Sequence, residues 1–205
     1  MLRIFFWTCI LVFAVCPAAA AADRPETALS EIQKAVDSRD MELLEKRMDM
    51  DALLDQGLKV FFATMQGNAA SLPPALALMA STADTPQLQK SLGKLLKDET
   101  KKFVRYGVES GHFAGKPDSQ ARPSGLMGAL LSEASLGRKT LKAAGTSRIE
   151  GSSAKLRAQL HDDGNGRDYP LDLRLTLRDG VWQVTGVDNL EQLTGRLYKE
   201  AVQER

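Results

Sequence analysis

The residue order predicts an α+β fold, with N-terminal helices packed on a three- to four-stranded antiparallel meander and a helix at the C-terminus. Three observations carry that expectation. Apolar residues in the first half recur at helical spacing, as in Ala28, Leu29, Ile32, Ala35 and Val36. Past Lys139 the period falls to two, with Leu171, Leu173, Leu175 and Leu177 alternating with Asp172, Arg174, Thr176 and Arg178. Helical spacing then returns at Leu190, Leu193, Leu197 and Val202. One sheet with one apolar face needs helices against that face. The expected organisation is a leader at 1–22 and a single domain at 23–205, with its helical part at 25–137, its sheet at 140–188 and its last helix at 189–203.

Each element has its own signal. Pro25 suits the first turn of a helix. Asp40 is placed to cap a short second helix containing Met41, Leu43, Leu44 and Met48. Asp49 or Asp51 caps a third, with Leu54, Leu58, Phe61, Phe62 and Met65 along one side and Gly67-Asn68 as its stop. Leu72-Pro73-Pro74 restarts the chain before a short apolar helix from Ala75 to Ala80. Thr85 as N-cap and Pro86 behind it start the longest helix, spanning 86–110. Leu88, Leu92, Leu95, Leu96, Phe103 and Tyr106 mark its expected buried side, and Lys94, Lys97, Lys101 and Lys102 a solvated face. Residues 114–125 are turn-rich, and Leu126 to Leu136 reads as one more helix.

In the second half, Ala154, Leu156, Ala158 and Leu160 alternate with Lys155, Arg157, Gln159 and His161 as a half-buried strand. Asp179-Gly180 is a two-residue turn of the type I′ kind. Such a turn pairs Leu177 with Trp182, Leu175 with Val184 and Leu173 with Gly186, all on the apolar face. Residues 140–150 add a first strand, and Asp188 or Asn189 caps the last helix.

The 205 residues carry 27 Lys+Arg against 26 Asp+Glu. That balance argues against an electrostatic nucleic-acid binder, and a composition 43% hydrophobic and 26% charged excludes a disordered polymer. The leader has the layout of a secretory signal: Arg3, an apolar run from Ile4 to Val15, and Ala20-Ala21-Ala22 before Asp23. Phe13-Ala14-Val15 is a poor lipobox ahead of Cys16, which disfavours a lipoprotein. Cleavage after Ala22 removes Cys9 and Cys16, the two cysteines of the chain, and with them thiol nucleophiles, thiolate metal sites and disulfides. The expected location is the periplasm or the exterior, with no membrane span left after cleavage.

Chemical motifs are sparse. Asp162-Asp163-Gly164-Asn165-Gly166 resembles part of a calcium loop, but aligning Gly166 with the invariant glycine puts His161 where an Asp belongs and Asp172 where a bidentate Glu belongs. The segment 161–172 therefore reads as a hairpin loop, and no metal is expected. His112 and His161 are not at metal-ligand spacing. No nucleophile elbow, zinc helix, phosphate loop or dinucleotide fingerprint occurs, so no cofactor and no catalytic residue are expected. Lys155, Arg157, Arg174 and Arg178 share the polar face of the sheet, where their fields add as an anion or lipid-headgroup surface. Gly186 opposite Leu173 leaves a missing side chain on the apolar face, next to Trp182.

Two segments carry resemblances. Leu29 to Asp40, with Ala35-Val36 and Asp40 at A-V-x-x-x-D spacing, and Met48-Asp49-Met50-Asp51 after it, resemble the opening helix pair of an uncharacterised family of exported bacterial proteins. The tail from Tyr169 to Tyr198, with Trp182-Gln183-Val184 and Gly186-Val187, is similar in layout to the end of MlaC-type periplasmic phospholipid carriers. Together these imply a helix-plus-curved-sheet fold of the NTF2/cystatin kind, which hosts both enzymes and binders. The expected function is a non-enzymatic exported binding protein. Its partner would be a lipid or small apolar ligand, lined by Phe103, Tyr106, Leu175 and Trp182, or an envelope protein. A pocketless accessory protein and an NTF2-like enzyme with a buried acid are the alternatives.

Overall fold

The computed structural model describes residues 23–67, 85–118 and 137–203. The expected leader, the short helix at 75–80, the later part of the 114–125 segment and the helix at 126–136 lie outside the described residues, as do the side chains of Met65 and Val202.

Helix α1 (Pro25–Ser38) starts on its proline and buries Pro25, Ala28, Leu29, Ile32 and Ala35. It ends with Arg39 in the left-handed conformation (φ 62°), where Arg39 N–H donates to Val36 C=O and Asp40 N–H to Ala35 C=O. Asp40 then caps α2 (Met41–Arg47), its carboxylate accepting from Leu43 N–H at 2.9 Å. Asp49 caps α3 (Met50–Gly67) in the same way through Ala52 N–H at 2.9 Å. Asp51, the alternative cap, instead meets lysines of the next helix. Between α2 and α3, Met48 is extended and bridges Val184 in parallel, while Asp49 N–H donates to Val184 C=O at 2.9 Å.

Helix α4 (Pro86–Glu109) opens on Thr85, whose hydroxyl accepts from Leu88 N–H. Leu96, Phe103 and Val108 are buried, but Leu88 and Leu95 are half exposed. Of the expected solvated lysines, Lys94 and Lys102 are exposed, whereas Lys97 and Lys101 pair with acids of α3. Lys97 lies 2.7 Å from Asp55 and 3.1 Å from Asp51, and Lys101 lies 2.9 Å from Asp51. Both helices carry these charges four residues apart, so the two rows align as α3 and α4 pack.

The sheet is antiparallel and has five strands rather than three or four: β1 (Lys139–Ala143), β2 (Arg148–Glu150), β3 (Ser153–Asp162), β4 (Arg167–Arg178) and β5 (Val181–Val187). β1 and β2 lie end to end along one edge of β3, with β4 on its other edge and β5 beyond. The single strand expected at 140–150 is thus broken in two. Asp179 (φ 50°) and Gly180 (φ 76°) form the turn, as a type I′ turn requires, and pair Leu177 with Trp182 and Leu175 with Val184. Beyond that the expected register fails. A bulge at Thr185 sets Gly186 opposite Arg174 and Val187 opposite Leu173. The missing side chain is therefore on the polar face, where the Arg174 guanidinium lies so close that a Cβ at Gly186 would fall 2.4 Å from Nη2.

Leu29, Ile32, Leu44 and Val108 meet Leu156, Leu173, Leu175, Trp182 and Val184 in one core between the helices and the apolar sheet face. Two glutamines close the sheet edges. Gln33 of α1 accepts from Leu141 N–H at 2.7 Å and donates to Lys139 C=O at 3.4 Å. Gln56 of α3 accepts from Val187 N–H at 2.9 Å and donates to Val187 C=O at 2.6 Å. Each carboxamide takes the place of a neighbouring strand, so neither end offers those backbone groups to another chain.

The last helix, α5 (Leu190–Gln203), half-buries Leu190 and Leu193, but Leu197 is 45% exposed. Asn189 does not cap it with its side chain. That carboxamide accepts from Asp172 N–H and donates to Pro170 C=O, both at 2.9 Å, covering the stretch of β4 that β5 does not reach.

Candidate functional site

The outer face of the sheet follows from the register. Arg148 of β2 is directly opposite Lys155 of β3, and Lys155 is directly opposite Arg174 of β4. Three cations thus form one row across three strands. Like charges placed directly opposite one another destabilise a sheet. Arg157 stands in the adjacent row, opposite Asp172. Asp188, just past β5, approaches both Lys155 (3.3 Å) and Arg174 (3.6 Å), and Glu150 approaches Arg148 at 2.9 Å. The Lys155 side chain is 74% exposed against 32% for Asp188, so the cation projects beyond its counterion. Arg148, Lys155 and Arg157 also bound a depression of about 540 Å³ beside the loop at Gly145-Thr146.

Of the four cations expected to form this surface, Lys155, Arg157 and Arg174 are brought together and Arg178 is not. Arg178 lies toward the hairpin end of β4 and binds the cap residue of α3, with Nη1 at 2.6 Å from Asp49 Oδ2. Ala52 N–H and then Arg178 hold the Asp49 carboxyl below the usual aspartate range, against the effect of its burial. Arg148 is the member that sequence reasoning passed over. The signal was Gly151-Ser152: read as a two-residue turn, it pairs Glu150 with Ser153 and so Arg148 with Lys155.

The expected apolar lining separates into two places. Leu175 is fully buried and Trp182 is 3% exposed, both inside the core. The Trp182 indole N–H donates to Asp23 C=O at 2.8 Å. Phe103 is buried edge-on to Phe113, with ring centres 6.0 Å apart, and Tyr106 is half-buried beside His112. His112 also lies 2.8 Å from the Ser110 hydroxyl.

The 161–172 segment is a strand–loop–strand. Asp162 accepts from Gly164 N–H and pairs with Lys139, and Asn165 accepts from Arg167 N–H. His161 lies between Asp168 (2.8 Å from Nδ1) and Asp163 (3.1 Å from Nε2), two acids that linear spacing did not single out. Among the described residues no three His, Cys, Asp or Glu side chains gather as metal ligands, and no helix is long and apolar enough to cross a membrane.

Among the described residues, Asp49, Asp51 and Glu26 titrate below their ordinary range. Asp51 is held down by Lys101 and Lys97. Burial works to raise Glu26, but Ser147 and other N–H donors outweigh it. Compared with known protein families, with curated proteins and with solved structures, the chain matches none of them.

Proposed function

We propose that the chain is a non-enzymatic, exported binding protein of the cell envelope, and that it meets anionic lipid headgroups through the outer face of its sheet. One observation carries this reading: the directly opposed row Arg148, Lys155, Arg174. Directly opposed like charges cost stability, and Asp188 is shared between Lys155 and Arg174, so an external anion would relieve repulsion that the fold answers only in part. The neighbouring depression of about 540 Å³ is lined by Arg148, Lys155 and Arg157 against Asp172 and Asp188, three cations to two acids, and gives a headgroup room to sit. Leu175 and Trp182 are buried in the core, so the reading rests on the outer face of the sheet and not on an internal apolar lining.

Vesicle flotation tests the reading. The protein should float with phosphatidylglycerol vesicles and not with phosphatidylcholine vesicles, and raising the salt should release it. Lys155→Gln with Arg174→Gln should abolish flotation. Equal binding to both vesicles, or binding that the double variant retains, rules the headgroup reading out. The burial of Leu175 and Trp182, two of the four expected lining residues, favours a second reading, an accessory protein that offers the same face to an acidic protein partner. Salt-sensitive capture by an acidic polypeptide, without flotation, would select it.

A further inference from the structure

The corner between α2 and α3 bounds a second cavity, of about 470 Å³, which is independent of the cationic face. Met41, Met48 and Met50 all line it. Its charged walls are matched three against three: Lys101 with Asp51 at 2.9 Å, Arg105 with Glu45 at 2.7 Å and Arg178 with Asp49 at 2.6 Å. Each of those charges is already answered, so a ligand that needs one of them as its counterion would have to break a pair to bind there. The thioethers make no such demand. Sulfur of this kind is a soft donor that selects Cu(I)-like ions over hard cations. Methionine is also unbranched with three rotatable bonds, so its sulfur can swing toward a ligand without moving the backbone.

From this juxtaposition we propose that Met41, Met48 and Met50 form a site for a soft monovalent cation, Cu(I) or Ag(I), at the α2–α3 corner. The matched ion pairs leave the cavity electrically balanced, so such an ion enters without meeting an excess of positive charge. Binding needs no proton release, because a thioether carries none, and no redox step, because the ion enters and leaves in one oxidation state.

Silver nitrate titration of the full chain in chloride-free buffer, read by native mass spectrometry, tests the site. The protein carries Cys9→Ser and Cys16→Ser so that thiolates cannot take the metal. The expected result is one Ag(I) per chain, weakened at least about tenfold in Met48→Leu/Met50→Leu and unchanged in His112→Ala/His161→Ala. Leucine conserves the volume of methionine, so the packing survives while the donor is lost. Should the double variant fail to fold, Met50→Leu alone at its half-buried position gives the same reading. No uptake at stoichiometric silver, or uptake that the leucines leave unchanged, overturns the proposal.

Discussion

Arg47 is 5% exposed, and a guanidinium so buried is costly unless its N–H groups find acceptors. Here Nε binds Glu31, and Nη1 binds Asp23 and reaches Trp182 C=O at 3.4 Å. Burial works to lower the pKa of Arg47, yet Glu31 and Asp23 outweigh it and hold the group above its ordinary value. Arg47→Met removes the cation and leaves the Asp23 carboxylate without its counterion, held only by Trp182 N–H, so urea unfolding should show a loss of about 3 kcal/mol. Adding Glu31→Gln should return part of that loss, since coupled residues are not additive. Asp49 gives a pH dependence whose sign is fixed by its depressed carboxyl. The unfolded chain takes up this proton first as pH falls. The Asp49 contribution is therefore full above about pH 4 and drains below it. Asp49→Asn should flatten the acid limb of the stability–pH curve; an unchanged limb would show that the cap and Arg178 add nothing through charge.

At the scale of elements, the glutamine clamps and the cation row make opposite predictions. Gln56→Leu leaves Val187 N–H and C=O at the sheet edge without their partner, and should cost about 1–3 kcal/mol in urea unfolding, with faster hydrogen exchange at Val187. Lys155→Gln relieves repulsion from both Arg148 and Arg174. Its pair with Asp188 is too exposed to compensate. The variant should be more stable than the parent by up to about 1 kcal/mol while binding anionic vesicles less well. A destabilised variant would remove the argument that the row is kept for function. The helices and strands were legible because caps, prolines and periodicity are local: Asp40, Thr85-Pro86 and the leucine run of β4 each act within a few residues. The register beyond Asp179-Gly180 was not legible, because a bulge at Thr185 leaves no local mark and one residue of slip moves Gly186 to the other face. The cationic face was partly legible for the same reason. Alternation put Lys155, Arg157 and Arg174 on one side, but Arg178 was drawn away by Asp49, a residue of another element.

Over the whole molecule, the polar bonds that matter most join distant parts of the chain. Asp23 takes N–H groups from Trp182, Glu26 takes one from Ser147, Gln33 serves Leu141 and Gln56 serves Val187. The core follows the same logic, with Leu29 and Leu44 of the helices packed on Leu175 and Trp182 of the sheet. A helical layer without the sheet would expose that apolar stripe and leave those side chains without partners. A sheet without the helices would lose the closure of both edges. Neither part has an independent reason to be stable, so the domain should unfold in one cooperative step. The check is urea unfolding in a Trp7→Phe background, with Trp182 fluorescence reporting the helix–sheet contact and far-ultraviolet circular dichroism reporting the helices. The two curves should superimpose. Helical signal that persists past the loss of Trp182 burial would instead divide the chain into a self-sufficient helical unit and a sheet that docks on it.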